Sequence, residues 1–348
     1  MPAECESDDS GLNARLTARS ANDIMKQKIG GDWMITVLNA ETNPFFNQAF
    51  EEYVFTHFTG DEIFLIWRNS PAVVVGSYQN ICREVHVRAL MEKNIPVVRR
   101  MTGGGTVYHD LGNLNYTYIY TENGEMDYAR GLDRMVSALN AIGAPVQRRR
   151  VCDLAIGEKK ISGSAGRMVK NRVLHHGTLL FESDLNALDR ITTRRKNDSF
   201  RTKGTVSAIC TVTNIRPHLK TDMEIGEFED ALLSAVLPGG AERIALNADQ
   251  LSEVRALEKE KYRSWEWTWG KTPAFEYEKN GMFMNQPIAV SYRAKKGIVS
   301  DVRIQSDALD GERAKALLEG ARLDPDGFCE ICRTLAGERA GELMDWLM

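Results

Sequence analysis

Three short stretches hold the side chains best suited to chemistry. Arg99 to Asp110 reads R-R-M-T-G-G-G-T-V-Y-H-D. Consecutive glycines after an apolar run let the backbone pass close to a ligand and present several amide hydrogens to one anion. Two arginines at the mouth of such a loop can take a phosphate or carboxylate in bidentate fashion. The loop lacks G-K-[ST] and G-x-G-x-x-G, so it is neither a Walker loop nor a dinucleotide fingerprint. A glycine turn with arginines on a wet surface is the competing reading. Lys159 to Ala165, K-K-I-S-G-S-A, suits a tight turn that holds an ammonium over a polar pocket, and a solvated loop lysine is its alternative. From Arg148 to Lys203 there are 14 Lys or Arg against 6 Asp or Glu, an excess of 8 positive charges in a chain of net charge −4. Such an excess marks a surface or pocket for an anion, either nucleotide phosphate or an acidic protein. The third stretch, His175-His176-Gly177-Thr178, lies in an apolar run downstream of Cys152-Asp153. Neighbouring strand residues face opposite ways, so these histidines do not share a metal easily and are expected to be buried and hydrogen-bonded. Cys329-Glu330-Ile331-Cys332 has no second ligand pair and reads as two packed helical thiols, not zinc.

These residues need elements to position them. Trp33 to Leu38 reads as a strand, and Asn43-Pro44 as an N-cap with proline at the first helical position. Phe46, Ala49, Phe50, Tyr53, Val54 and Phe58 then recur at helical spacing. Strands are expected at Ile63 to Trp67 and Ala72 to Val75, a helix from about Arg83 to Lys93, and a short strand, Val97 to Arg99, entering the glycine loop. Leu114 to Tyr120 alternates as a strand. A helix from about Tyr128 to Ile142 ends at Gly143. Val151 to Ile156 and Val173 to Phe181 read as strands, and an acidic helical pattern runs from Asn214 to Val236. A charged helix, Leu251 to Tyr262, precedes Trp265-Glu266-Trp267-Thr268-Trp269, whose alternation reads as one buried face of a short strand or turn. Strands near Phe275 to Tyr277, Ile288 to Arg293 and Ile298 to Gln305, then helices near Gly311 to Leu318 and Phe328 to Leu335, make a smaller α+β unit. The expected division is an extension over 1–30 (with a weak helix possible from Leu12 to Met25), a main domain over 31–250, and an accessory domain over 251–348.

Composition bounds the rest. The 348 residues suit about two domains, and 43% hydrophobic with 26% charged residues allow a large core. With 44 basic and 48 acidic side chains, nothing points to nucleic acid or membrane as a partner. No apolar run approaches the roughly 18 residues of a bilayer span. The acidic N-terminus is unlike a secretory signal, and six scattered cysteines fit reduced thiols, so a cytoplasmic location is expected.

Taken together, the stretches resemble the lipoate–protein ligase family, from about Trp33 to the C-terminus. Asn43-Pro44-Phe45-Phe46-Asn47 to Glu51-Glu52 resembles its first helix, and Gly76 to Asn80 its G-x-x-Q-N turn. Arg99 to Asp110 resembles the most specific marker, R-R-x-[ST]-G-G-G-x-V-[FY]-H-D. Asp153, K-[VI]-S-G-S-A at Lys160 to Ala165, and H-H-G-T-L-L at His175 to Leu180 continue the series. Lys203-Gly204 through Asn214 resembles the loop over the adenylate, and Trp265 to Phe275 the entry to an accessory domain. The G-R-G-R loop of the related biotin ligases is absent.

The resemblance implies an α+β or α/β fold: a biotin/lipoate-ligase-like mixed sheet with flanking helices and a small α+β C-terminal domain. It implies ATP-dependent activation of free lipoate to lipoyl-AMP, with Mg²⁺ offsetting phosphate charge, and transfer to a lysine of a lipoyl carrier. Octanoate is an implied second substrate. Implied partners are lipoyl domains of 2-oxoacid dehydrogenase acyltransferases and the glycine-cleavage carrier protein. Lys160 is the implied catalytic residue. Arg100, Gly105, Thr106, Val107, Tyr108, Asp153, Lys160 and Lys203 would serve the nucleotide, and Arg100, Gly103, Gly104, Gly105, Lys160 and His176 the lipoate. A narrow tunnel near the first helix and Val73 to Val75 would take the tail. The sequence departs from the family at Val151-Cys152, where Arg-Asn is common, and at Ile209 and Thr211, where arginines are frequent. Cys152 and Cys210 near the implied site keep a second reading open, an acyltransferase working through a Cys152 thioester without ATP. A third is a non-catalytic carrier- or nucleotide-binding protein.

Overall fold

The computed structural model describes residues 34–60, 62–192, 198–208 and 210–348. The expected extension over 1–30, Trp33 and Ile209 lie outside the described residues. Around the site, local signals set the elements. Helix Pro44–His57 starts where Asn43 Oδ1 accepts from the amides of Phe45 and Phe46, with Pro44 in the first turn. Helix Tyr128–Ala141 is capped by Asp127 and stops at Gly143, which has φ +96°.

An eight-stranded sheet organises the main body, in the order Glu242–Ile244, Met34–Val37, Glu62–Arg68, Asn113–Thr121, Arg172–Leu180, Lys159–Val169, Asp153–Ile156, Gln147–Arg150. The first two pairings are parallel and the rest antiparallel. One face carries Leu114, Tyr116, Tyr118 and Tyr120 against Leu132, Leu139 and Phe228. Ile63, Leu65 and Ile119 on the other face meet Phe50, Val54 and Tyr262. Period-two side chains on a sheet buried on both faces explain why the tyrosine alternation was readable. A second, three-stranded sheet of Val97–Arg99, Ala72–Val75 and Val107–His109 holds the two ends of the glycine loop.

The C-terminal region builds a separate antiparallel sheet from Phe275–Phe283, Gln286–Lys295 and Ile298–Ser306, backed by helices Gly311–Leu318, Pro325–Ala336 and Ala340–Leu347. Its fourth strand is Ser199–Thr202, contributed from well upstream. Cys332 is buried in this core, on the same helix as Cys329. The expected architecture, a large mixed sheet with flanking helices plus a small α+β unit, is the one observed.

Four local expectations need correction. Trp265–Thr268, expected as one buried face of a short strand or turn, is a helical turn that sends its tryptophans to two sides, because Ser264 Oγ accepts from the Trp267 amide and caps it. Trp265 and Trp269, four residues apart, pack in the C-terminal core, while Trp267 Nε1 turns to the Arg99 carbonyl at 2.7 Å. The expected helix over Arg83 to Lys93 is two short ones, Ile81–Glu84 and Val87–Glu92, since Val85 and His86 are extended and the His86 ring caps Ala89. Val151 and Cys152 form a turn, so the strand after them begins at Asp153. His175 is fully buried against Tyr116 and Tyr128, but its two ring nitrogens find no hydrogen-bond partner among the described residues.

Candidate functional site

The glycine loop is shaped from behind. Arg100 is buried; its Nε and Nη2 donate to the Gly103 carbonyl at 3.1 and 2.6 Å, and Nη2 also to Gly105 at 2.7 Å. Nη1 donates to Val74 O at 3.1 Å and Nε to Thr102 Oγ1 at 3.0 Å. Gathering carbonyls around a guanidinium turns the loop's other side toward the cavity. Gly104 has φ +83°, a conformation that side chains rarely adopt. At Gly76 a Cβ would stand 2.3 Å from the Gly104 carbonyl, so the G-x-x-Q-N turn and the glycine loop touch backbone to backbone.

Lys160 sits opposite. Its strand shifts register between the pairs Leu154↔Ser162 and Ala155↔Lys160, and such a bulge re-aims a side chain. Its amide donates to Thr211 O and its carbonyl accepts from the Thr213 amide, so the backbone is gripped by the loop over 210–214. Nζ lies 2.8 Å from Oδ1 of buried Asp153. A Cβ at Gly163 would fall 2.9 Å from that Nζ; the glycine leaves the groove in which the lysine lies.

Two cavities meet at this lysine. The first, about 290 Å³, runs between Arg100, the glycine loop, Gln48 of the first helix, Trp67, Val74 and His176. The second, about 380 Å³, lies between Tyr108, Leu180, Leu188, Asp189 and Val212. Lys160, Thr106, Val107, Gly163, Thr178, Ser207 and Ala208 border both. Volumes of this size suit small ligands with a few fixed polar contacts. Ser207 closes the roof: its Oγ accepts from the Thr106 amide at 2.9 Å and from Gln79 Nε2 at 3.0 Å. Gln79 Oε1 in turn accepts from the Gly76 amide and the Thr106 hydroxyl, each at 2.9 Å.

The inner end of the first cavity is a buried polar chain. His176 Nδ1 is 2.8 Å from Glu51 Oε1 and its Nε2 2.7 Å from Thr102 Oγ1. Glu51 also accepts from Thr117, which accepts from Trp67 Nε1. Asn47 donates to Asn69 Oδ1, leaving Asn69 Nδ2 to donate to His109 Nδ1 at 3.0 Å. His109 therefore carries its proton on Nε2, a buried donor that no group among the described residues accepts, at the cavity wall. Burial pushes its pKa down to about 3, with Arg100 adding to the shift, so it stays neutral.

The structure thus gathers Arg100, Gly104, Gly105, Thr106, Val107, Tyr108, Asp153, Lys160 and His176 around the two cavities. Gly103 lies on the loop with its carbonyl on Arg100, outside both linings. Lys203 stays on an exposed turn away from both. Arg99, expected at the loop mouth, points away from the cavity and is wholly buried. Cys152 borders the first cavity and Cys210 the second. Burial and the adjacent Asp153 carboxylate push the Cys152 thiol up, away from the thiolate a nucleophile needs. Residues that the sequence alone did not single out are Gln48, Trp67, His109 and Ser207; the first three carried no signal beyond a place in an apolar or motif run.

Comparison with known proteins agrees with this arrangement. A family model described as the lipoyl protein ligase A/B catalytic domain matches residues 43–237. The chain belongs to that family. Lipoate–protein ligase 1 of Staphylococcus aureus is 33% identical over 273 residues, covering 77% of this chain and 83% of the relative. Lipoate-protein ligase LplJ of Bacillus subtilis is 31% identical over 284 residues, with 79% and 85% covered. Among solved structures, lipoate-protein ligase A bound with ATP superposes with TM-score 0.56 at 26% identity, covering 68% of this chain and 97% of that one. Protein Ta0514 of T. acidophilum with bound lipoic acid gives TM-score 0.57 at 25% identity, over 68% and 98%. In the lipoyl protein ligase family's terms, the matched segment contains the glycine loop, Lys160, the His175-His176 strand and the roof over 205–208, all the elements that enclose the two cavities.

Proposed function

We propose that this chain is an ATP-dependent lipoate–protein ligase: it converts free lipoate to lipoyl-AMP, releases pyrophosphate, and passes the acyl group to a lysine of a lipoyl carrier domain. One observation carries the reading: Lys160 stands on the wall shared by two adjoining cavities, each large enough for a small ligand. A carboxylate does not acylate an amine at neutral pH, because its leaving group is poor. With the acyl chain in the first cavity and the nucleotide in the second, carboxylate and α-phosphate meet beside the ammonium. The positive charge then stands where negative charge builds up as the two join. Gly105, Thr106 and Val107 form the facing wall, where the Thr106 amide is held by Ser207 Oγ. Asp153, 2.8 Å from the ammonium, aims Lys160, and the Ser207 roof excludes water.

Among the described residues no group of three or more His, Cys, Asp or Glu side chains could hold a metal. Mg²⁺ would accordingly be carried mainly by the nucleotide's phosphate oxygens, as is common for this ion, with the buried carboxylates Asp153 in the first cavity's wall and Glu84 in the second's. When bound it would offset phosphate charge. The carrier partner follows from the same chemistry. A solved structure, similar to this chain at 25% identity and TM-score 0.57, concerns a bi-partite lipoate protein ligase and its E2 lipoyl domain. Lipoyl domains of 2-oxoacid dehydrogenases, and the glycine-cleavage carrier protein, are the acceptors we propose, with octanoate as a second acyl substrate and the cytoplasm as the location. Residues 251–348 would act as an accessory domain.

The test is intact-mass spectrometry of an apo lipoyl domain incubated with the protein, lipoate and Mg-ATP. A lipoyl increment that requires ATP is expected. Acylation from an octanoyl carrier without ATP, abolished by Cys152→Ser, would instead establish the thioester reading.

A further inference from the structure

Arg99 is the largest wholly buried side chain among the described residues and forms no ion pair among them. A buried cation without a counter-ion is costly unless its donors are all met. Carbonyls and one hydroxyl engage all three of its nitrogens here. Nη1 donates to Gly76 O at 2.9 Å, Gln79 O at 3.0 Å and Ser77 O at 3.3 Å. Nε donates to Thr268 O at 2.8 Å and Nη2 to Thr272 Oγ1 at 3.2 Å. The Arg99 carbonyl accepts from Trp267 Nε1. One guanidinium therefore joins the Gly76–Gln79 turn to the tryptophan-rich turn at the head of the C-terminal unit.

The first of these turns is the one that holds the cavity roof, because Gln79 binds both Thr106 and Ser207. We infer that Arg99 is a positioning residue, which couples the C-terminal unit through the Gly76–Gln79 turn to the roof over both substrate cavities. This inference rests on the ligase reading for the names of the substrates. It predicts that the placement of the C-terminal unit sets how tightly lipoate and nucleotide are held. Lysine cannot replace arginine here: its three donors leave one compact ammonium, which does not span acceptors on both turns.

The experiment compares the full-length protein with Arg99→Lys and Thr272→Val. The second variant removes one acceptor on the C-terminal side and leaves the substrate-side bonds in place, so it serves if Arg99→Lys does not fold. Lipoate-dependent ATP–pyrophosphate exchange is followed for KM and kcat, lipoate binding by calorimetry, and unfolding by thermal melt. Arg99→Lys should raise KM for both ATP and lipoate by about 10-fold with kcat changed much less, the mark of lost uniform binding. Thr272→Val should shift both in the same direction by roughly 3-fold. Unchanged KM values and lipoate affinity in Thr272→Val, or in an Arg99→Lys protein that merely melts earlier, would reduce Arg99 to a structural cation. A wild-type protein without exchange activity would remove the ligase reading instead, and lipoate affinity would still report the coupling.

Discussion

Lys160 Nζ, from a residue bordering both cavities, stands 2.8 Å from Oδ1 of Asp153 in the wall of the first, the lysine half-buried and the aspartate buried. The carboxylate aims the ammonium without filling either cavity. Lys160→Ala should lower lipoate-dependent ATP–pyrophosphate exchange by about 100-fold or more, the usual loss when one charge-stabilising group is removed. Asp153→Asn, which keeps the shape and loses the charge, should cost roughly 10-fold. Full exchange activity in Lys160→Ala would take the lysine out of the mechanism.

Gly163 lies beneath the same lysine. An added Cβ would meet its Nζ at 2.9 Å and Cε at 3.1 Å, the mobile end of a long side chain. Gly163→Ala should therefore leave the melting temperature nearly unchanged while displacing the ammonium. A shift of about 1 Å can cost on the order of 100-fold in rate. Steady-state exchange beside a thermal melt checks both halves, and a large drop in melting temperature would show that the groove matters for folding instead.

Two buried imidazoles make the fold acid-sensitive. Burial holds His109 and His175 down to about 3, from an ordinary 6.5, with neighbouring Arg100 and His176 adding to the shift for His109 and His176 for His175. Below pH 6.5 the unfolded chain takes up protons at these rings that the folded chain refuses until about pH 3. Stability therefore declines as pH falls through that window. Between pH 6.5 and 5 each ring should remove about 2 kcal/mol. Urea midpoints at both values test this, and His175→Leu should flatten the slope by about half. An unchanged slope would mean that His175 is not responsible.

The exposed edge strand Gln147–Arg150 ends in a turn beside the first cavity, and Arg150 borders that cavity. An acidic carrier domain that brings its lysine here would meet Arg148 and Arg149 first. Arg148→Glu with Arg149→Glu should slow transfer to the carrier about 10-fold at low salt and leave pyrophosphate exchange unaltered. The deficit should shrink as ionic strength rises, since such charges are screened beyond about 10 Å at 0.1 M. Equal transfer rates at every salt concentration would place the docking surface elsewhere.

Much of this protein was determined by its sequence. Asn43-Pro44 and the apolar spacing after it fix the first helix to within a residue, because cap chemistry and the 3.6-residue period are local. Gly104 and Lys160 were legible as candidates, since a triple glycine and a lysine beside Ser-Gly-Ser suit close approach to a ligand, while a wet turn and a solvated lysine stayed open until both were found in a cavity wall. Only the tertiary structure decided which way each side chain points. Arg99 and Arg100 are neighbours of identical chemistry, yet one ties two units together and the other shapes the loop from behind, because successive positions at a strand end face opposite sides. His109 gains its buried donor from Asn69, and Ser207 closes the roof over Thr106 across about a hundred residues of chain. The tryptophan series became a helical turn once Ser264 capped it and the two units on either side offered it partners. Contacts of that kind depend on which distant segments are brought together, and no local pattern encodes them.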